Sequence, residues 1–394
     1  MKSDTKTLLQ KFECPQGTPL GGDFATFDYG KGSFIWSENK NKKYFDATSF
    51  FSVANLGHNP SYLRDLLYQQ KDELIHAMGD VYPTSQKAVL LEKLCHLFEM
   101  DKAQLCITGT DAVEFALKTI ELKKKNPTFL SFENSYHGLG FGALSVTNYP
   151  GFNLFSTPYK SIVAPYPSPE NKEAFLSFFK KMQKNAIDAV IIEPVLGRGG
   201  VIYPFEGALE FLRELTHKQQ IPLIFDEIFC GLYRTGDLRG TTVNCDLLLI
   251  GKALSNGLPL SVVLGTKELM DLWPLNEGEA LHTGTFTGHG LSIRAALATL
   301  SEYEQFTQKN LQENQQYLAR KMKDVNGEGK GFFYRIPVPN ALEAMKKLFK
   351  EQIVILPADV DLKYLGYYPP LTTTPKEHDF FFETFKKLKL HDAR

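Results

Sequence analysis

A chain of 394 residues that is 43% hydrophobic has enough apolar material for a large core and a smaller one. A formal net charge of −1 gives no general electrostatic pull toward nucleic acid or an anionic membrane. Cys14, Cys95, Cys106, Cys230 and Cys245 form no CxxC pair, no stretch approaches the roughly 20 apolar residues of a membrane span, and MKSDTKTLLQKFECPQG lacks a secretory apolar core, so the expectation is a cytoplasmic protein with neither a disulfide framework nor a metal.

In chain order, residues 24–48 (FATFDYGKGSFIWSENKNKKYFDAT) alternate like hairpin strands around Asn41. AQLCIT (103–108) reads as a strand, followed by a helix with Val113, Ala116, Leu117 and Ile120 at helical spacing. TFLSFE (128–133) and DAVIIEP (188–194) read as strands, and EGALEFLRELTHKQQ as an amphipathic helix. IPLIFDE (221–227) and CDLLLIG (245–251) are two more buried strands. Continuous Leu/Ile/Val runs separated by helices predict an α/β fold around a mainly parallel sheet covered on both faces. After about residue 300 the texture becomes α+β. A long polar helix over 301–325 is followed by GKGFFYRIPVP, a helix over 340–351, QIVILPADV and EHDFFFETFKKLKL. The expected division is a large domain over 46–300 and a small domain over 301–394, joined by residues 1–45.

Ligands of parallel sheets sit at the carboxyl ends of the strands. Asp226 ends one apolar run and Lys252 follows the next. A lysine there is either a structural ion-pair partner or, desolvated and nucleophilic, a Schiff-base former. The carboxylate at a neighbouring strand tip favours the second reading. An aldehyde cofactor with a pyridine ring needs one amine for its carbonyl and one acid to keep the ring nitrogen protonated. Gly109 and Thr110, between a strand and a helix start, offer backbone N–H groups to a phosphate, although such turns also serve as ordinary caps. Tyr136 can lie flat on a cofactor ring with His137 beside it, or be core. A nucleotide-binding protein without covalent chemistry explains the sheet but not the lysine and acid, and no GxGxxG or GxxxxGK[ST] stretch occurs.

The motifs GTDAVEFALK, SYHGLGFGALSVT, AVIIEPVLGRGGV, LIFDEIFCGLYRTG, LLIGKALSNGLPLSVVLG and HTGTFTGHGLSIRAALATL occur in this order. With YFDATSFFSVANLGHNP before them and YYPPLTTT after, the chain resembles the class III aminotransferases over nearly its whole length. Acetylornithine and ornithine aminotransferases and glutamate-1-semialdehyde aminomutase are members of that family. The resemblance implies the fold of type I pyridoxal-phosphate (PLP) enzymes, with a large domain on a mainly parallel seven-stranded sheet and a smaller α+β domain. It implies that Lys252 forms the Schiff base and shuttles a proton in a ping-pong transfer between an amine or amino acid and an oxo acid or aldehyde. Asp226 would bind the pyridinium nitrogen, Tyr136 would stack on the ring with His137 beside it, and Gly109 and Thr110 would hold the phosphate. Thr285 would reach the phosphate from the partner of a homodimer that shares its active sites. Glu193 takes a supporting role near the cofactor, and Arg234, in YRTG, a structural one.

The chain departs from the pattern at four places. Amino-acid-handling members often read EPxQGEGG, where this chain reads EPVLGRGG and has Arg198 in place of a glutamate. The arginine that in such members precedes the late proline motif falls at Gly366. Phe229 replaces a polar residue after the DE pair, and GHG (288–290) replaces GNP or GHP. A relocated anion clamp at Arg198 is one reading, and a solvated loop residue is the other. Phe50, Phe51, Tyr82, Tyr367 and Tyr368 are expected around the mouth, with Phe51 against substrate. An intramolecular aminomutase is the close rival activity, and racemisation or decarboxylation a more distant one.

Overall fold

The computed structural model describes residues 5–18, 25–38, 40–69, 71–152, 154–183, 186–275, 277–309 and 311–390. Seven segments build the central sheet. They are β1 (Lys102–Cys106), β2 (Thr128–Phe132), β3 (Lys160–Ala164), β4 (Ala189–Ile192), β5 (Leu223–Asp226), β6 (Leu247–Ile250) and β7 (Ser261–Gly265). Their spatial order is β1-β7-β6-β5-β4-β2-β3. Only β7 runs against its neighbours; the other pairings are parallel. Every residue of β4, β5 and β6 is buried, the outcome expected where helices cover both faces.

Strand alternation divides the apolar residues between two cores. Val190, Ile192, Phe225, Leu248 and Ile250 face one way, joined by Leu90 and Leu94 of the Ser85–Phe98 helix and Leu209 and Leu212 of the Ala208–Gln219 helix. Ala189, Ile191, Ile224, Leu247 and Leu249 face the other, joined by Val113, Ala116, Leu117 and Ile120 of the Gly109–Lys123 helix.

Phe27–Lys31, Phe34–Ser37 and Lys43–Asp46 form an antiparallel meander, and Ile353–Val354 adds to it in parallel. A third sheet joins Glu328–Lys330, Phe333–Pro337, Tyr364–Tyr367 and Leu356–Pro357. The polar helix expected over 301–325 is instead two helices, Gly290–Lys309 and Leu311–Lys323. The first begins before residue 301 because Ile293, Ala296 and Leu300 repeat at helical spacing and are buried.

The Pro375–Lys387 helix opens with a capping box between Thr374 and Glu377 and buries His378 completely. The His378 ring nitrogen Nδ1 bonds the Tyr367 hydroxyl at 2.8 Å. Burial pushes its pKa down to about 3. The unfolded chain takes up this proton near pH 6.5, so acid favours unfolding progressively through the window from about 6.5 to about 3. Chemical unfolding at about pH 7 and about pH 5 should show wild type losing roughly 1–2 kcal/mol more stability than His378→Gln. Equal losses would mean that the histidine does not titrate in this way.

Candidate active site

The carboxyl ends of the strands open into a cavity of about 820 Å³. Asp226, the last residue of β5, and Lys252, which starts a single turn after β6, both line it. Glu193 after β4, and Tyr136 and His137 beyond β2, line it as well.

Asp226 is enclosed but well partnered. Its Oδ1 accepts from the Ile228 amide at 3.1 Å, and its Oδ2 lies 2.8 Å from His137 Nδ1. The other ring nitrogen of His137 is buried without a partner. Lys252 has φ +43, and its Nζ lies 4.4 Å from the centre of the Phe229 ring. Desolvation lowers its pKa, while Asp226 and Glu193 pull it back up. Glu193 accepts from the Tyr136 amide at 3.0 Å and the Gly197 amide at 2.9 Å. Burial raises its pKa to about 7 against the opposing pull of His137.

The loop after β1 is an anion cradle. Thr108 caps the Gly109–Lys123 helix by accepting from the Asp111 amide. The amides of Gly109 and Thr110, at the first two helical positions, have no intrahelical acceptor. Asp111 fixes the turn by accepting from Ile107 N at 2.9 Å and pairing with His282 Nε2 at 2.9 Å. Gly138, at φ +115, packs so closely that a Cβ there would lie 2.4 Å from Thr110 Oγ1. A desolvated amine, an oriented carboxylate and free helix-start amides on one cavity match the aldehyde, ring nitrogen and phosphate of PLP, so the residues fit that cofactor.

The mouth differs from expectation in its details. Phe50, Phe51 and Tyr368 line the cavity, but Tyr82 and Tyr367 do not. Tyr82 is 71% exposed, and Tyr367 turns into the core to reach His378. Thr285 is exposed and does not line the cavity. Arg198 is exposed at the rim, its guanidinium 4.7 Å from the Tyr136 ring centre, 5.0 Å from Tyr149 and 5.4 Å from Phe152. No carboxylate among the described residues pairs with it. Gly366 sits in the Tyr364–Tyr367 strand off the cavity, where a Cβ would meet the Tyr368 ring at 2.5 Å. Arg335, opposite it in the ladder, is bound to Glu328.

The four residues Ser49–Ser52 all have left-handed backbones, with φ of +41, +47, +57 and +67. Each such residue costs about 1–2 kcal/mol. Asp46 helps to hold the turn, its Oδ2 accepting from the Phe50 amide at 3.1 Å while its Oδ1 accepts from Thr48 N at 2.8 Å. Arg234 is fully buried and donates only to neutral oxygens; burial lowers its pKa to about 10.

Sequence reasoning missed Thr108, Gly138, Tyr149, Phe152 and the Leu356–Leu362 segment. A glycine two residues beyond Tyr136 was a visible signal for Gly138; Tyr149, Phe152 and Leu356–Leu362 carried none.

The class-III aminotransferase family model matches residues 22–388. The acetylornithine aminotransferase of Clostridium acetobutylicum is 28% identical over 375 residues, covering 90% of this chain and 93% of its own. That of Oceanobacillus iheyensis is 28% identical, covering 99% and 98%. Among solved structures, the ornithine aminotransferase of Toxoplasma gondii superposes with a TM-score of 0.83 at 24% identity, covering 98% and 93%. A thermostable (S)-enantioselective omega-transaminase from Thermomicrobium roseum superposes at 0.87 and 22% identity, covering all of both chains. At these identities the structural likeness speaks for the fold. With the family model spanning nearly the whole sequence, the chain belongs to the class-III aminotransferases and is a PLP-dependent enzyme.

Proposed function

We propose that amino-group transfer takes place in the cavity between Lys252 and Asp226, with an anion-bearing amine or amino acid as donor and an oxo acid or aldehyde as acceptor. The observation that carries this reading is that an amine and an acid from adjacent strands, β6 and β5, open onto one space. PLP supplies an aldehyde for the incoming amine and a ring that takes up electron density from the neighbouring carbon. Lys252 would hold the cofactor through its carbonyl and, its pKa lowered by burial, would serve as the group that moves the proton. Asp226, oriented by His137 and the Ile228 amide, would keep the ring nitrogen protonated. Gly109 and Thr110 would hold the phosphate and Tyr136 would pack against the ring, its backbone fixed by Glu193.

Arg198 grips the substrate anion, and Phe51 walls its apolar body. No carboxylate among the described residues competes for the guanidinium, and three aromatic faces hold it in place. Among the described residues Arg198 is the one arginine lining the cavity, and Gly366 supplies no second one, which favours an intramolecular aminomutase as the second reading. An activity that needs no added oxo acid would decide for the mutase.

We further infer a homodimer. Leu74, Ile75, Met78, Val81 and Tyr82 are exposed beside Leu281 and Phe286. The His76 and Phe286 rings are 5.4 Å apart, so the two segments share a face that also carries Thr285. A partner covering this face would receive Thr285 at its own phosphate cradle.

Borohydride treatment of loaded enzyme should add the cofactor mass to wild type and not to Lys252→Ala, whose turnover should fall at least about a thousandfold. Covalent trapping that survives the substitution would reject Lys252. Arg198→Ala should raise KM for anionic donors about 10–100-fold and leave uncharged amines within about twofold; equal KM values for both classes would leave Arg198 a surface residue. Sedimentation should show a dimer for wild type and dissociation for Phe286→Asp, with activity following the dimer; an unperturbed dimer would move the interface elsewhere.

A further inference from the structure

We propose that Arg234 is a positioning residue of the substrate pocket: it clamps the Phe50–Phe51 wall in its left-handed turn, ties that wall to the Tyr368 segment, and so sets which substrate bodies the pocket accepts. The proposal rests on the reading of this cavity as the substrate site.

A guanidinium has five N–H groups, and each finds an acceptor here. Nε donates to Ser52 Oγ at 2.7 Å. One Nη donates to the carbonyls of Pro369 at 2.6 Å and Phe332 at 3.1 Å. The other donates to Ser49 Oγ at 2.9 Å and to Asn55 Oδ1. Ser49 and Ser52 flank Phe50 and Phe51, so the arginine holds the turn at both ends with the two aromatic residues between.

Packing does not replace this grip. Phe50 and Phe51 are 41% and 51% exposed, and both line the cavity. The turn contains no glycine, so its left-handed backbone has no intrinsic support and depends on what binds it. The clamp extends to the neighbouring Tyr368 segment, which also lines the cavity, where Ser49 Oγ donates to the Tyr368 carbonyl at 2.8 Å. Asn55 closes a loop back to the arginine's own segment by donating to the Leu232 carbonyl at 2.8 Å. Leu232 and Tyr233, just before Arg234, are left-handed too, at φ +53 and +66. A lysine has three donors on a point charge and cannot span these acceptors.

The test uses the loaded full-length enzyme and a series of amines of increasing bulk. Ser52→Ala removes one acceptor and is the mild variant; Arg234→Lys is the stronger one. Both should change KM for bulky aryl or branched donors about tenfold or more, with kcat changing less, while small alkyl donors stay within about twofold. Phe51→Ala should reproduce the size shift, and its effect should not add to that of Ser52→Ala. Additive effects, or one uniform KM change for all donors, would overturn the proposal. A Phe51→Trp reporter gives a reading independent of turnover. Acrylamide should quench it more readily in the Ser52→Ala background than alone, with Trp36 and Trp273 subtracted from reporter-free controls. Equal quenching would overturn the clamp. Absence of turnover in wild type with every amine would instead count against the transferase reading, and the reporter would still decide the clamp.

Discussion

Two opposite charges at the carboxyl edge of one buried sheet constrain everything around them. Asp226 and Lys252 leave adjacent parallel strands whose every residue is enclosed, the acid buried and the amine half-buried on the cavity. The acid is compensated by a backbone amide and by His137. The amine meets an aromatic face at Phe229 and is held toward its neutral form by burial. Burying an ion pair is weak evidence for stability, because desolvation opposes the attraction. An arrangement that leaves the amine poorly compensated stores reactivity instead.

How much of this was legible in the sequence depended on whether a residue's environment is local. Asp226 and Lys252 were legible because buried strands read as unbroken apolar runs and end where polarity resumes. β3 was not, because KSIVA is an edge strand with exposed and half-buried positions. Tyr367 and Tyr368 show the limit most clearly. The strand ending at Tyr367 had not been recognised, and one position decides whether an aromatic ring meets the core or the cavity. The Ser49–Ser52 turn left no trace either. Left-handed backbone normally announces itself by glycine or asparagine, but here SFFS is bent by bonds from Asp46 and Arg234, partners that only the folded chain brings together.

The exchange of charges at the mouth has a structural logic. A carboxyl-gripping arginine at position 366 would need Tyr368 to move, whereas Arg198 occupies a loop after β4 with open solvent on one side. Three aromatic faces restrict the guanidinium without neutralising it. Cation–π contacts of this kind hold direction while leaving the N–H fork free for an incoming anion, as a protein carboxylate would not.

Glu193 then links the two halves of the site. One carboxylate oxygen takes the amide of Tyr136, and the other takes the amide of Gly197, next to Arg198. The ring that stacks with the arginine and the loop that carries it are thus indexed to a single buried group. Enclosure raises the Glu193 pKa to about 7 even though both oxygens accept from backbone N–H groups, which oppose that rise. A neutral acid or an amide would keep one of these bonds well and strain the other. The spacing between the Tyr136 face and the Arg198 guanidinium therefore depends on a buried carboxyl group that bonds to the backbone beside each of them.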